Sequence, residues 1–161
     1  QLEMISELLR YQLYGGNQKV SILQEIDYLK TYIALRKLRM SERLRLRVEF
    51  PPELNELNIY PLLFLPLVEN AFKYVGGDYQ LDIIMKWENN RISLFIRNSI
   101  PELSAEDEAL RKSVDERQRK GIGLVNLRRR LSLLYPNKHR LETRKEETEF
   151  VAELMIEIED I

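Results

Sequence analysis

Leu81-Asp82-Ile83-Ile84-Met85-Lys86-Trp87-Glu88-Asn89-Asn90-Arg91-Ile92-Ser93-Leu94-Phe95-Ile96 is the stretch on which the fold turns. Leu81, Ile83 and Met85 alternate, and so do Ile92, Leu94 and Ile96. A period of two marks strands with one buried face. Asn89-Asn90 separates the two runs and predicts a β-hairpin, because asparagine tolerates the left-handed conformation that tight hairpin turns need.

Ahead of the hairpin, Leu44, Leu46, Val48 and Phe50 alternate up to Pro51-Pro52, which predicts another strand. Pro61 opens an apolar segment running to Tyr74. Its regular helix is expected from about Pro66, with that proline in the first turn, and Gly76-Gly77 closes it. Earlier still, Ile22, Ile26, Leu29, Ile33 and Leu38 recur at helical spacing behind Ser21, a candidate N-cap with Gln24 three residues on. Leu2, Ile5, Leu8, Leu9 and Leu13 form a leading helix that stops at Gly15-Gly16-Asn17.

Behind the hairpin, residues 101–120 are mostly polar with a helix-capable middle. A connection that long is usually functional, and this one is expected to be mobile without a ligand. Leu124, Leu127, Leu131 and Leu134 then line a helix ended by Pro136-Asn137. Two strands follow, around His139–Thr143 and Glu149–Ile158. Helices on one side of a mixed, mostly antiparallel sheet, preceded by a helical segment, make an α/β two-layer sandwich.

The 161 residues are 44% apolar, enough for one full domain and a short appendage. Lys plus Arg number 25 against 26 Asp plus Glu, so the net charge is -1 and no basic excess points to nucleic acid. No cysteine is present, which excludes disulfides, thiolate zinc sites and a cysteine nucleophile. The longest apolar run, Ile59 to Val68, is broken by two prolines and is too short to span a bilayer, so no membrane contact is expected from this chain. The opening residues read as mid-helix, and the chain is expected to be a fragment.

Three constellations could carry chemistry. On a helix, Asn70, Lys73 and Tyr74 share one face. The Asn oxygen suits Mg²⁺, the ammonium suits a phosphate, and the ring suits a base. Lys120-Gly121-Ile122-Gly123-Leu124 opens a helix. Glycines let the backbone approach a ligand, and the helix start offers N–H groups to an anion. Asn98 ends a strand, and its amide can both donate and accept, as an adenine edge requires. Each has an ordinary alternative: a solvated stripe, a loop-to-helix turn, a strand-end asparagine.

Four segments carry a resemblance: SELLRYQLY, VSILQEIDYLKTYIALRKLRMSERL, PLVENAFKY and GIGLVNLRRRLSLLY. With them the chain resembles the ATP-binding domain of sensor histidine kinases, most closely the LytS-type family, over nearly its whole length. The resemblance implies a Bergerat-type ATP-binding fold over residues 17–161 and a remnant of the dimerisation region at residues 1–16. It implies ATP and Mg²⁺ as ligands, with Asn70 on the metal, Lys73 on a phosphate and Tyr74 beside the adenine. Lys120 to Leu124, with Gly121 and Gly123, match the glycine box that closes over the phosphates. Asn98 stands where the family usually carries an adenine-reading Asp. Ser99 and Ile100 stand where glycines follow it, and Leu65 replaces a common Gln.

Glu69 matches an acidic residue of the asparagine motif and is the candidate catalytic carboxylate, although it lies about 100° round the helix from Asn70. Related gyrase-type ATPases place a water-activating Glu one turn before the Asn, where this chain has Pro66. The resemblance therefore implies phosphoryl transfer to a histidine upstream of Gln1, since His139 is the only histidine and lies between a helix and a strand. It further implies a response regulator as partner, a homodimer in the intact protein, and the cytoplasmic portion of a bacterial membrane sensor. A non-catalytic signalling module and a hydrolysing ATPase of the same fold are the alternatives.

Overall fold

The computed structural model describes residues 18–54, 56–102 and 108–159. The expected leading helix and its Gly15-Gly16-Asn17 stop lie outside them, as do residues 103–107 of the long connection. The elements run β1 (Val20–Ser21), α1 (Ile22–Arg39), β2 (Arg45–Glu49), β3 (Asn58–Ile59), α2 (Leu65–Tyr74), β4 (Gln80–Glu88), β5 (Arg91–Ser99), α3 (Glu108–Lys120), α4 (Ile122–Leu134), β6 (His139–Lys145) and β7 (Glu149–Glu157).

The hairpin forms as its alternation predicts. Leu81 faces Asn98 and Met85 faces Leu94 across β4 and β5, and Asn89 and Asn90 turn the chain at φ 51° and 62°. Around it the larger sheet has the order β2-β4-β5-β7-β6, antiparallel except for the parallel pair β2 and β4. Its inner face presents Leu81, Ile83, Met85, Ile92, Leu94, Ile96, Phe150, Ala152, Leu154 and Ile156, all buried. The helices cover that face, so the architecture is the two-layer sandwich expected. A two-residue ladder of β1 with β3, too short to leave a periodic signal, forms apart from it.

Ser21 caps α1 by accepting the Leu23 N–H at 3.2 Å. Ile22, Ile26, Leu29 and Ile33 are buried as their spacing predicts, but Leu38 is 64% exposed, so the apolar stripe ends early. The last turn instead carries Arg36, Lys37 and Arg39, cations that suit the negative end of the helix dipole.

Pro66 falls in the first turn of α2, where its missing N–H costs nothing. No side chain caps that helix; the segment before it is held from outside. Tyr135 Oη accepts the Tyr60 N–H at 3.1 Å, and buried Glu25 accepts the Leu62 N–H at 2.6 Å. Arg130 donates to the carbonyls of Pro61 and Leu62. Leu62 sits at φ 63°, a strained conformation for leucine, and these bonds from α1, α4 and the end of α4 hold it there. The start of α2, and with it the placement of Asn70, is thus set by distant elements.

Gly77 closes the turn after α2 at φ 62°, and a Cβ there would meet the Ile100 carbonyl oxygen at 2.7 Å. The long polar connection, read with a helix-capable middle, is helical over Glu108–Lys120, so α3 runs almost directly into α4 through Gly121. On α4, Leu124, Leu127 and Leu131 are buried, and Leu134 packs partly buried against the core.

Candidate functional site

Helix α2 buries Leu67, Val68, Ala71 and Phe72 against the sheet, which turns Glu69, Asn70, Lys73 and Tyr74 away from it. These four line a cleft of about 460 Å³ closed by α1 on one side and by the α3–α4 junction on the other. The structure therefore brings together the asparagine motif and the glycine pair, which lie some fifty residues apart. Gly121, Gly123 and Leu124 all line the cleft. The side chains of Lys120 and Ile122, also expected there, lie outside the described residues.

Three residues line this cleft that sequence spacing did not single out: Tyr32 and Arg36 from α1, and Arg117 from α3. Tyr32 and Arg36 stand one helical turn apart, the only cue the sequence offered. Arg36 lies over the Phe72 ring at 5.4 Å and hydrogen-bonds to Tyr32, whose own ring meets Phe72 edge-on at 6.3 Å. The cleft thus holds the cations Arg36, Lys73 and Arg117 against one carboxylate, Glu69. Lys73 Nζ also sits 5.4 Å from the centre of the Tyr74 ring.

The cleft walls partly desolvate the Glu69 carboxylate and raise its pKa above the ordinary value, while Arg36 pulls it back down. Burial likewise raises the Tyr32 phenol, against the lowering effect of Arg36. Pro66 lines the cleft too, so the position one turn before Asn70 carries no acid. Among the described residues no group of three or more His, Cys, Asp or Glu could hold a metal. A cation here would take its ligands from Asn70 and from a ligand's own oxygens, as Mg²⁺ does when bound through phosphates.

Asn98 is placed differently from the other candidates. It follows Ile92, Leu94 and Ile96 onto the inner face of β5 and is only 1% exposed, so it does not line the open cleft. Gln118 of α3, itself fully buried, covers it: Gln118 Nε2 donates to Asn98 Oδ1 at 2.9 Å. The same residue reaches the asparagine motif, because Asn70 Nδ2 donates to the Gln118 carbonyl at 3.0 Å. Gln118 Oε1 is buried without a partner among the described residues.

At the start of α4, a Cβ on Gly121 would lie 2.7 Å from the Arg117 carbonyl oxygen, whereas one on Gly123 would meet nothing within 4 Å. Gly121 permits the close turn between the helices; Gly123 leaves open space beside the helix N-terminus. His139 is tied down elsewhere, with Nδ1 2.7 Å from the Tyr135 carbonyl oxygen at the start of β6. A larger depression of about 530 Å³ on the outer face of the sheet is lined by Phe95, Met155 and charges of both signs, with no glycine or carboxamide converging on it. No described helix is long and apolar enough to cross a membrane.

A family model described as Histidine kinase matches residues 1–44. Sensor protein kinase HptS of Staphylococcus aureus (strain USA300) is 27% identical over 145 residues, covering 87% of this chain and 28% of that protein. The same protein from strain MRSA252 matches equally. The chain therefore spans under a third of the length of these curated relatives. Among solved structures, the histidine kinase domain of a blue-light activated kinase from Erythrobacter litoralis superposes with a TM-score of 0.59 at 13% identity, covering 98% of this chain and 77% of that one. Acinetobacter baumannii histidine kinase AdeS gives 0.56 at 15% identity, over 99% and 76%. The catalytic domain of histidine kinase ThkA gives 0.54 at 17% identity, over 88% and 96%. Family model, relatives and folds all point the same way: sensor histidine kinases are what this chain is similar to, and its fold is that of their catalytic domains.

Proposed function

We propose that the cleft between α1, α2 and the α3–α4 junction binds ATP with Mg²⁺, and that the intact protein passes the γ-phosphoryl group to a histidine and then to a response regulator. The observation that carries this reading is the convergence of Asn70 and the Gly121–Gly123 pair on one cleft rich in cations. In this reading Lys73, Arg36 and Arg117 offset phosphate charge. Asn70 uses its amide nitrogen on Gln118 and turns its carbonyl oxygen to the cation. The N–H groups at the start of α4 point at the phosphates, and Tyr74 packs beside the base. Mg²⁺ held at Asn70 would supply positive charge to the phosphates during transfer.

The acceptor in this reading is a histidine other than His139, whose ring is held at the sheet edge away from the cleft. Residues 17–161 form the ATP-binding unit and residues 1–16 belong to a dimerising helical region. Sensor kinases commonly signal from a membrane, and a membrane-anchored cytoplasmic setting follows from that likeness alone. Covering of Asn98 by Gln118 favours a second reading, a nucleotide-type fold used as a non-catalytic module. Pro66 speaks against steady ATP hydrolysis, since the position of a water-activating acid is filled by a proline.

Calorimetric titration of the 161-residue chain with ATP, with and without Mg²⁺, separates these readings. Saturable, Mg²⁺-dependent binding without phosphate release is the expected result. Absence of saturable binding would favour the non-catalytic module, and continuous phosphate release would favour the ATPase.

A further inference from the structure

We propose that Gln118 is a built-in competitor for the base half of the nucleotide site: its carboxamide occupies Asn98 and must leave before a base can pair there. This inference rests on the nucleotide reading above and adds a regulatory contact to it.

Four observations carry it. Asn98 and Gln118 are 1% and 0% exposed, so the contact is enclosed rather than a surface encounter. Gln118 Nε2 donates to Asn98 Oδ1 at 2.9 Å, which is the bond an exocyclic amino group of adenine would make to that oxygen. Gln118 also binds the second candidate nucleotide contact, through its backbone carbonyl and Asn70 Nδ2 at 3.0 Å. One residue of α3 therefore bridges the two carboxamides that a nucleotide would use.

The fourth observation concerns how tightly the contact holds. Among the described residues, Asn98 Nδ2 reaches only the Ser99 carbonyl at 3.4 Å, and Gln118 Oε1 is buried with no partner. A buried acceptor without a donor is costly, so the closed contact is poorly satisfied. Adenine offers a donor and an adjacent acceptor on one edge and can pair with both atoms of an Asn amide. It makes two bonds where Gln118 makes one. Freed Gln118 Oε1 regains hydrogen bonds in water. The contact is thus strong enough to close an empty site and weak enough to yield to a base. Any signal that shifts α3 changes how readily it yields.

The test is Gln118→Ala in the 161-residue chain, titrated with ATP, adenosine and inorganic tripolyphosphate. Loss of one competing hydrogen bond predicts ATP and adenosine binding tighter by roughly twofold to tenfold. Tripolyphosphate, which has no base, should bind as it does to the parent chain. Gln118→Met keeps the buried volume and removes the bond, and should shift adenosine in the same direction by about twofold or more. Unchanged or weaker ATP binding in variants that melt like the parent would overturn the proposal and leave the nucleotide reading standing. Equal tightening of all three probes would overturn it as well, because the effect would not lie at the base. If neither parent nor variant binds ATP, the nucleotide reading itself fails, and the proposal with it.

Discussion

Gly121 and Gly123 stand two residues apart at one helix start, yet replacing each by alanine should have opposite effects on stability. An added Cβ on Gly121 falls 2.7 Å from the Arg117 carbonyl oxygen, well inside the 3.4 Å at which ordinary contact begins. That oxygen belongs to the backbone of α3 and cannot rotate away, so the α3–α4 junction must open. Overpacking of this kind costs about 1–3 kcal/mol. For a chain of this size that lowers the melting temperature by roughly 2–12 °C. Gly123→Ala meets no atom of the described residues within 4 Å and replaces a glycine inside the first turn of α4. Alanine in a helix gains about 0.5–1 kcal/mol over glycine, worth roughly 1–3 °C. Gly123→Ala should nevertheless weaken ATP, because the space its Cβ fills is where the helix N-terminus approaches a phosphate. Circular-dichroism melts and ATP titrations on both variants read the two effects separately. A Gly121→Ala chain that melts at or above the parent temperature would refute the steric argument. A Gly123→Ala chain that binds ATP like the parent would refute the placement of the phosphates.

Asn70→Ala removes the carbonyl oxygen offered to the cation, so the ratio of ATP affinity with Mg²⁺ to that in chelator should fall; an unchanged ratio contradicts the metal assignment. Glu69 has its folded pKa raised, so its ionisation disfavours the native state. That penalty is complete above the folded pKa and vanishes as pH falls below the unfolded value of about 4.3. Glu69→Gln should therefore be at least as stable as the parent in urea at neutral pH, with any gain gone in acid; a gain that grows on acidification contradicts the shift. Tyr135→Phe deprives the Tyr60 N–H of its 3.1 Å partner and should cost about 1–2 kcal/mol in chemical denaturation. A loss below about 0.3 kcal/mol would mean that water replaces the hydroxyl.

Much of this molecule was legible in the chain because its signals are local. Alternation in β4 and β5 and the paired asparagines between them specify a hairpin without reference to anything else, since side chains on a strand must point to opposite faces. Asn98 continues that alternation two residues beyond Ile96, but only the structure showed it buried on the inner face. Helical spacing on α2 put Asn70, Lys73 and Tyr74 on one side, and they line one cleft. The resemblance along four segments added the order of those parts. Local signals failed where partners are remote. Leu38 matched the spacing of α1, but among the described residues it is left exposed at the helix end. The segment before α2 carries no cap of its own and is held by Glu25, Arg130 and Tyr135. Residues 101–120 read as a polar connection with a helix-capable middle, and Glu108–Lys120 are helical, but that polar character says nothing about the burial of Gln118.

What the amino-acid order determined by itself is therefore the set of elements and the faces they bury, because periodicity and turn chemistry act within a few residues. Only the tertiary structure decided what those faces meet. It carried Tyr32 and Arg36 from α1 and Arg117 from α3 to the same cleft, and it laid Gln118 across Asn98. Those contacts join residues 20 to about 85 positions apart, and no spacing rule encodes them. They arise when apolar faces are buried together, and the polar groups at their margins must pair with whatever that packing brings near.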